Sequence, residues 1–283
     1  MKVGLKKIIP LTIVSCFCTV FLRVIQITKI TETQTGFFLR EHAFLGNLVT
    51  VAIFVFAAIS VIYSAFYKEK IAHPVTITKP FAVLHFLLAA AIIYESLFAD
   101  VSQMIYTWQI LLQIIFGILS ALAFATSGFY AFSGKKSAPI AMVAHIAFFL
   151  TRVIIVFSTY ISVSTIAENV FEMAALCTAL IFFLNAASLE NEIDPERFQK
   201  RILPSAVAAF IMGACYSASQ LVVMLSGKGE MLHSQTVTFF TNIVLIIYIF
   251  YYTILAFCPP KQRGEPQAEQ EEAEQLNMFD DEI

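Results

Sequence analysis

Apolar residues run along this chain in stretches too long for any strand and too unbroken for the amphipathic helices of a water-soluble domain. Eight such stretches are read at 8–28, 45–66, 80–98, 106–132, 139–163, 166–188, 204–226 and 237–258. Each is about 20 residues long, the length an α-helix needs to cross about 30 Å of hydrocarbon. Inside lipid every backbone donor and acceptor must be satisfied by the protein itself, so the pattern predicts helices. The expected fold class is all-α, a polytopic transmembrane helix bundle of about eight spans. The connections are short and leave no room for a soluble domain between spans.

Composition supports the same solvent. Hydrophobic residues make up 59% of the 283 residues, charged residues 13%, and the mean hydropathy is +0.79. So few charges cannot cover a water-facing surface of that size, and the lipid bilayer is the expected partner. The formal net charge of −2 adds little, because the acidic excess lies near the C-terminus. The distribution of lysine and arginine is more informative. Lys2, Lys6 and Lys7 precede the first stretch, and Lys68, Lys70 and Lys79 separate the second from the third. Lys135 and Lys136 follow the fourth, Arg197, Lys200 and Arg201 the sixth, and Lys261 and Arg263 the eighth. Every second connection is basic, so the positive-inside rule places both termini in the cytoplasm. "MKVGLKK" followed by "IVSC" has the look of a secretory leader with a lipid-attachment cysteine. The apolar run nevertheless continues through "FCTVFL" without the polar stretch that follows a cleavage site, so it is read as the first span.

Three segments repeat. "FLRVI" at 21–25 returns as "FLTRVI" at 149–154, which sets Arg23 and Arg152 129 positions apart, and "IFVFAAIS" at 53–60 returns as "IFFLNAAS" with an offset of 128. Pro80-x-Ala-Val-x-x-Phe86 matches Pro204-x-Ala-Val-x-x-Phe210 at an offset of 124. The matches are collinear, which predicts a duplicated four-helix unit. The expected organisation is one repeat over 1–132, a second over 133–258, and an acidic tail over 259–283. A unit with an even number of spans returns to its starting side, so the 4+4 repeat is parallel, with its axis along the membrane normal. Sites in transporters tend to lie at such repeat interfaces.

The candidate chemistry follows from that reading. Arg23 lies past the midpoint of span one toward the outer side, and Arg152 takes the same depth in span five. Tyr94, Glu95 and Ser96 lie near the outer end of span three, and the proline anchors map Glu95 and Ser96 onto Ser219 and Gln220. Glu168 and Glu172 start span six four residues apart, on one helical face. Arg23, Arg152, Glu95, Gln220, Glu168, Glu172 and Tyr94 are therefore the candidate substrate-binding residues. Ionisable groups in hydrocarbon cost about 2.5–3.5 kcal/mol each, so they are expected to face the interior and pair or line a wet cavity. The competing reading makes them a structural ion-pair network, or arginines that snorkel to the headgroups. His85, His145, Asn185, Gln113 and Asn242 are read as interhelical hydrogen-bonding groups.

Catalytic patterns are not found: the chain carries no phosphate-cradling glycine loop, no HExxH, no GxSxG and no paired CxxC. No enzyme activity, cofactor or metal site is expected, and no basic aromatic surface for nucleic acid. The five cysteines, Cys16, Cys18, Cys177, Cys215 and Cys258, have no ligand spacing and are read as packing residues.

Between the first two spans lies "TETQTGFFLREH". Arg23-x-x-Gln26 followed by Thr35-Gly36-Phe37-Phe38 resembles a pattern in uncharacterised polytopic membrane proteins of Firmicutes. That resemblance covers span one and the first loop; it implies a bacterial plasma-membrane protein and assigns no activity. Physically, Thr35-Gly36 supplies a turn, and Phe37-Phe38 is suited to cap the bundle or to form a lid over a pocket. In "LENEIDPERFQKRILP", Asp194 is a helix cap and Pro195 a first helical residue, which predicts a short surface helix before span seven. The tail ends in "LNMFDDEI"; its acidic, large-apolar-poor composition predicts a disordered, solvated tail, with a docking motif for a soluble partner as the alternative reading. Two function classes remain. One is a transporter or binding bundle for a small anion or zwitterion, with an outward-facing site between the repeats. The other is a non-catalytic structural, sensory or assembly subunit.

Overall fold

The computed structural model describes residues 5–32, 37–67, 78–98, 107–133, 139–161, 167–191, 193, 195–225 and 236–257; several side chains at segment ends, that of Glu168 among them, lie outside the description. The described helices are α1 (Leu5–Ile25), α2 (Ala43–Ala65), α3 (Lys79–Phe98), α4 (Thr107–Phe132), α5 (Pro139–Ile161), α6 (Ala167–Glu190), α7 (Pro195–Leu225) and α8 (Thr236–Phe257). Together they supply eight spans of sufficient length and apolarity to cross a membrane. The chain is thus an all-α, multi-pass membrane bundle. Its outside is apolar, with Phe44 82% and Ile140 77% exposed, while polar side chains such as Thr19, Glu95, Ser120 and Gln220 are fully buried. That inversion suits lipid as the surrounding solvent.

One expectation is corrected. The predicted short surface helix and the span from 204 are a single helix, α7, running Pro195–Leu225. Pro195 is its first residue, where a missing N–H is no loss; Asp194 lies outside the described residues. Pro204 lies inside the same helix. It removes the bond to the carbonyl of Lys200, yet the helix continues because its next turns are held by packing on α6. The acidic tail from 259 also lies outside the described residues.

The main packing partners trace a ring. α3 packs on α4, α4 on α5, α5 on α6, α6 on α7, α7 on α8, and α8 returns to α3; the α1–α2 hairpin lies against α7. Helices of the two sequence halves are therefore interlocked rather than side by side. The ring is filled by aromatic residues. Phe124 stacks on His145 at 3.5 Å between centroids, Phe149 on Phe183 at 4.8 Å and Phe81 on Tyr248 at 4.9 Å. Both histidines find partners in this layer: His145 Nδ1 with Ser120 Oγ at 3.2 Å, and His85 with the Phe81 carbonyl at 2.8 Å and the Tyr248 hydroxyl at 3.4 Å. They act as interhelical hydrogen-bonding groups, which is the commoner fate of such residues in a bundle.

Helices α3 and α4 pack closely, and a glycine on α4 faces a serine side chain on α3. A Cβ on Gly117 would meet Ser96 Oγ at 1.8 Å and Ser96 Cβ at 2.7 Å, so only glycine fits there. Gly117→Ala is expected to force the two helices apart and to lower the thermal unfolding midpoint in detergent by several degrees, in line with the roughly 1–3 kcal/mol of overpacking. Adding Ser96→Gly to Gly117→Ala should recover most of that loss; an unchanged midpoint in the single variant would contradict the packing.

Candidate functional site

Five ring helices each place a polar side chain at one level. Glu95 is four residues from the end of α3, Gln113 is in the second turn of α4 and Asn242 in the second turn of α8; Arg152 lies past the middle of α5, and Gln220 is near the end of α7. Their mutual bonds fix the up-and-down alternation of the helices. Arg152 Nε donates to Glu95 Oε1 at 3.0 Å, and Arg152 Nη1 donates to Asn242 Oδ1 at 3.4 Å. Asn242 Nδ2 donates to Gln220 Oε1 at 3.3 Å. Gln220 Nε2 in turn reaches the hydroxyls of Tyr216 at 3.2 Å and Thr238 at 3.3 Å. Gln113 Nε2 donates to Glu95 Oε1 at 3.5 Å, at the edge of bonding distance. One turn from Glu95, Thr241 Oγ1 donates to the Ala91 carbonyl at 3.1 Å and ties α8 to α3.

Around Arg23 a second group assembles. α1 passes into a π-helical turn at Gln26–Ile30, a geometry common at functional positions. Arg23 Nη1 donates to Gln26 Oε1, and Gln26 Nε2 donates to both the Gly46 carbonyl and Thr50 Oγ1 of α2 at 2.8 Å. The guanidinium carbon lies 4.2 Å from the centroid of the Phe171 ring of α6, a cation–π contact. Cys215 Sγ approaches the Thr19 carbonyl at 3.8 Å, which brings α7 and the adjacent Tyr216 against α1 one turn from Arg23. The result is one polar layer from Arg23 through Tyr216, Gln220, Asn242 and Arg152 to Glu95.

The two ends of the first loop pair beside Gly46. A small hairpin forms where Thr31 bridges Phe38, with Leu39 N–H donating to the Ile30 carbonyl at 2.8 Å; Thr35 and Gly36 lie outside the described residues. The Phe38 ring rests on Gly46, where a Cβ would come within 2.5 Å of it. Gln26 and Phe38 therefore meet at one glycine, with Arg23 bonded to Gln26.

Of the predicted site residues, both arginines turn inward: Arg23 is 1% and Arg152 4% exposed, which excludes snorkelling to the headgroups. Glu95 and Gln220 join the layer, and Glu172 is buried on α6 next to Phe171. Tyr94 does not belong. It is 44% exposed and packs on Phe98 at 5.2 Å, because adjacent helix positions differ by about 100° and Glu95 takes the inward one. The side chain of Glu168 lies outside the described residues. Sequence reasoning left out Gln26, Gly46, Thr50, Tyr216 and Thr238 as site residues, and treated Gln113 and Asn242 as packing groups. The available signal was a lone amide inside an apolar run, and, for Gln26, its position one turn from Arg23.

Chemically, the layer is charged but incomplete. Glu95 is fully buried; its Oε1 takes both described donors, while Oε2 and the neighbouring Ser96 Oγ have no hydrogen-bond partner among the described residues. Next to Asn242 and Tyr216 lies a void, lined also by Ala175, Ala209 and Gly213, with room for about one water.

Arg152→Leu should destabilise the protein by about 3–5 kcal/mol, because it strands a buried carboxylate, whereas Arg152→Leu with Glu95→Leu should be far milder. Thermal unfolding in detergent reads both, and equal losses would refute the pairing. Gly46→Ala should displace Phe38 and raise labelling of a cysteine placed at position 50 by a membrane-impermeant thiol reagent. Comparison with protein-family models, with curated proteins and with solved structures finds no match for this chain.

Proposed function

We propose that this membrane protein binds and carries a small zwitterionic solute at the polar layer. The observation that supports it most is the unsatisfied Glu95 Oε2 beside the Arg152 guanidinium, both inside the bundle. Half-satisfied polar networks are costly in a low-dielectric interior, so such a gap points to a missing partner. An ammonium group suits Oε2, and a carboxylate suits the guanidinium, which forms paired bonds to such anions. A simple anion has a weaker case, since Arg152 is already neutralised by Glu95. Binding requires the pair to part, which makes it the element that solute opens.

The reading includes the parallel duplication. Arg23 and Arg152, equivalent under the sequence offset, each donate through Nη1 to a neighbouring amide, Gln26 in one case and Asn242 in the other. It also includes a bacterial plasma membrane with both termini cytoplasmic, on the strength of the alternating basic connections, and a soluble partner for the acidic tail. A structural role for the layer is the second reading, favoured by the 3.0 Å ion pair between side chains 4% and 0% exposed.

Thermal unfolding in nanodiscs separates the two. Small amino acids should raise the unfolding midpoint, by about 2.7 kcal/mol of stabilisation at a hundredfold excess over Kd. Matched amines and carboxylates that carry one charge should not, and Glu95→Gln should abolish the effect. If no zwitterion stabilises the protein and the Arg152→Leu, Glu95→Leu pair matches the wild type, the layer is structural. For orientation, reporters fused after Lys136 and Asp194 should be cytoplasmic, and those near Gln103 and Lys228 external.

A further inference from the structure

The bundle has a basic end, where α1, α3, α5 and α7 begin. Lys7, Lys79, Arg197, Lys200 and Arg201 are all exposed there, with Glu190 the one exposed acidic side chain among the described helix residues at that end. Directly below it, between α1, α7 and α8, lies a groove of about 160 Å³. Its floor is Ile8, Leu203, Ala206 and Val207, each at most 5% exposed, and its rim includes Ile13 at 52% and Phe250 at 41%. The one polar lining group on α8, Thr253 Oγ1, is already bonded to the Ile249 carbonyl at 2.7 Å. On α7 the groove runs from Leu203 to Phe210, about 10 Å along the axis, or roughly two thirds of one leaflet's share of the hydrocarbon.

Two independent features thus meet: an apolar slot that runs along the helices, and cations at its mouth. The register of α7 places Lys200 one turn before Leu203 and two before Val207, on the stripe that lines the slot. Lys7 directly precedes Ile8. By contrast, the exposed face of α2, with Leu48, Val51, Val55 and Ile59, carries no basic side chain among the described residues.

We propose that this groove is a specific site for an anionic phospholipid, with one acyl chain in the slot and the phosphate held by Lys7 and Lys200. Basic pockets between spans at a membrane surface recognise anionic headgroups in this way. The site is separate from the polar layer, which lies toward the opposite end of the helices.

Native mass spectrometry of the whole protein, released from nanodiscs of mixed phosphatidylglycerol and phosphatidylcholine, tests the idea. One retained phosphatidylglycerol per chain is expected, preferred by about 25-fold over phosphatidylcholine if each lysine contributes as a surface cation does. Lys7→Gln with Lys200→Gln should remove the preference and leave weak binding of both lipids. Thr12→Trp, which fills the slot from a half-buried position, should remove the adduct while all the surface charge remains. Should Thr12→Trp fail to fold, Phe250→Ala, which opens the wall, should shorten retention without changing the preference. Equal retention of both lipids by the wild type, or an adduct that survives Thr12→Trp, overturns the proposal. So does a dimer with no lipid adduct, which would mean that a second copy covers the groove.

Discussion

The ion pair between Arg152 and Glu95 constrains everything placed around it. In hydrocarbon neither charge tolerates an apolar neighbour alone, so the helices that carry them must keep their azimuths to within a hydrogen bond. α5 supplies the cation, α3 the carboxylate, α4 the amide that supports it, and α8 the amide that takes the guanidinium's other edge. The closure of the ring between α8 and α3 follows from this demand, because Asn242 reaches Arg152 only if α8 stands beside α3. The Thr241 bond to the Ala91 carbonyl fastens that junction. Gly117 then lets α4 come close enough for Gln113 to reach Glu95.

Arg23 solves the same problem with different chemistry. Its charge is spread over the amide of Gln26 and the face of Phe171, partners that ask less of helix rotation than the Glu95 carboxylate does. The π-helical turn presents Gln26 to two acceptors on α2 at once, and the absent side chain of Gly46 leaves room for the Phe38 ring above. A loop residue is thereby packed against the same carbonyl-bearing turn that anchors the arginine's amide.

Span number and extent are legible in the chain because hydrocarbon thickness sets a length that composition reports directly. Depth is legible as well: counting residues from a span's end was enough to bring Glu95, Arg152 and Gln220 to one level. Rotation about each helix axis is not. Tyr94 and Glu95 are equally deep, and only packing decides which of two adjacent positions turns inward. The extent of α7 escapes the apolar pattern for another reason: Arg197, Lys200 and Arg201 end the hydrophobic run, while the helix itself continues back past Pro204 to Pro195. Gln113 and Asn242 were visible as amides in apolar runs, but nothing in one sequence tells an amide that joins two helices from one that completes an ion pair.

The distance along the chain between Arg23 and its aromatic partner bears on how the protein is made. During synthesis α1 enters the bilayer long before α6 or α7 exists, so the Phe171 ring and Tyr216 cannot yet shelter the guanidinium. The amide of Gln26, one turn away on the same segment, is the one described partner available to a nascent first span, and α2 follows at once to hold that amide. The α1–α2 hairpin is thus equipped to wait in lipid as a self-contained unit until its dock on α7 emerges from the ribosome.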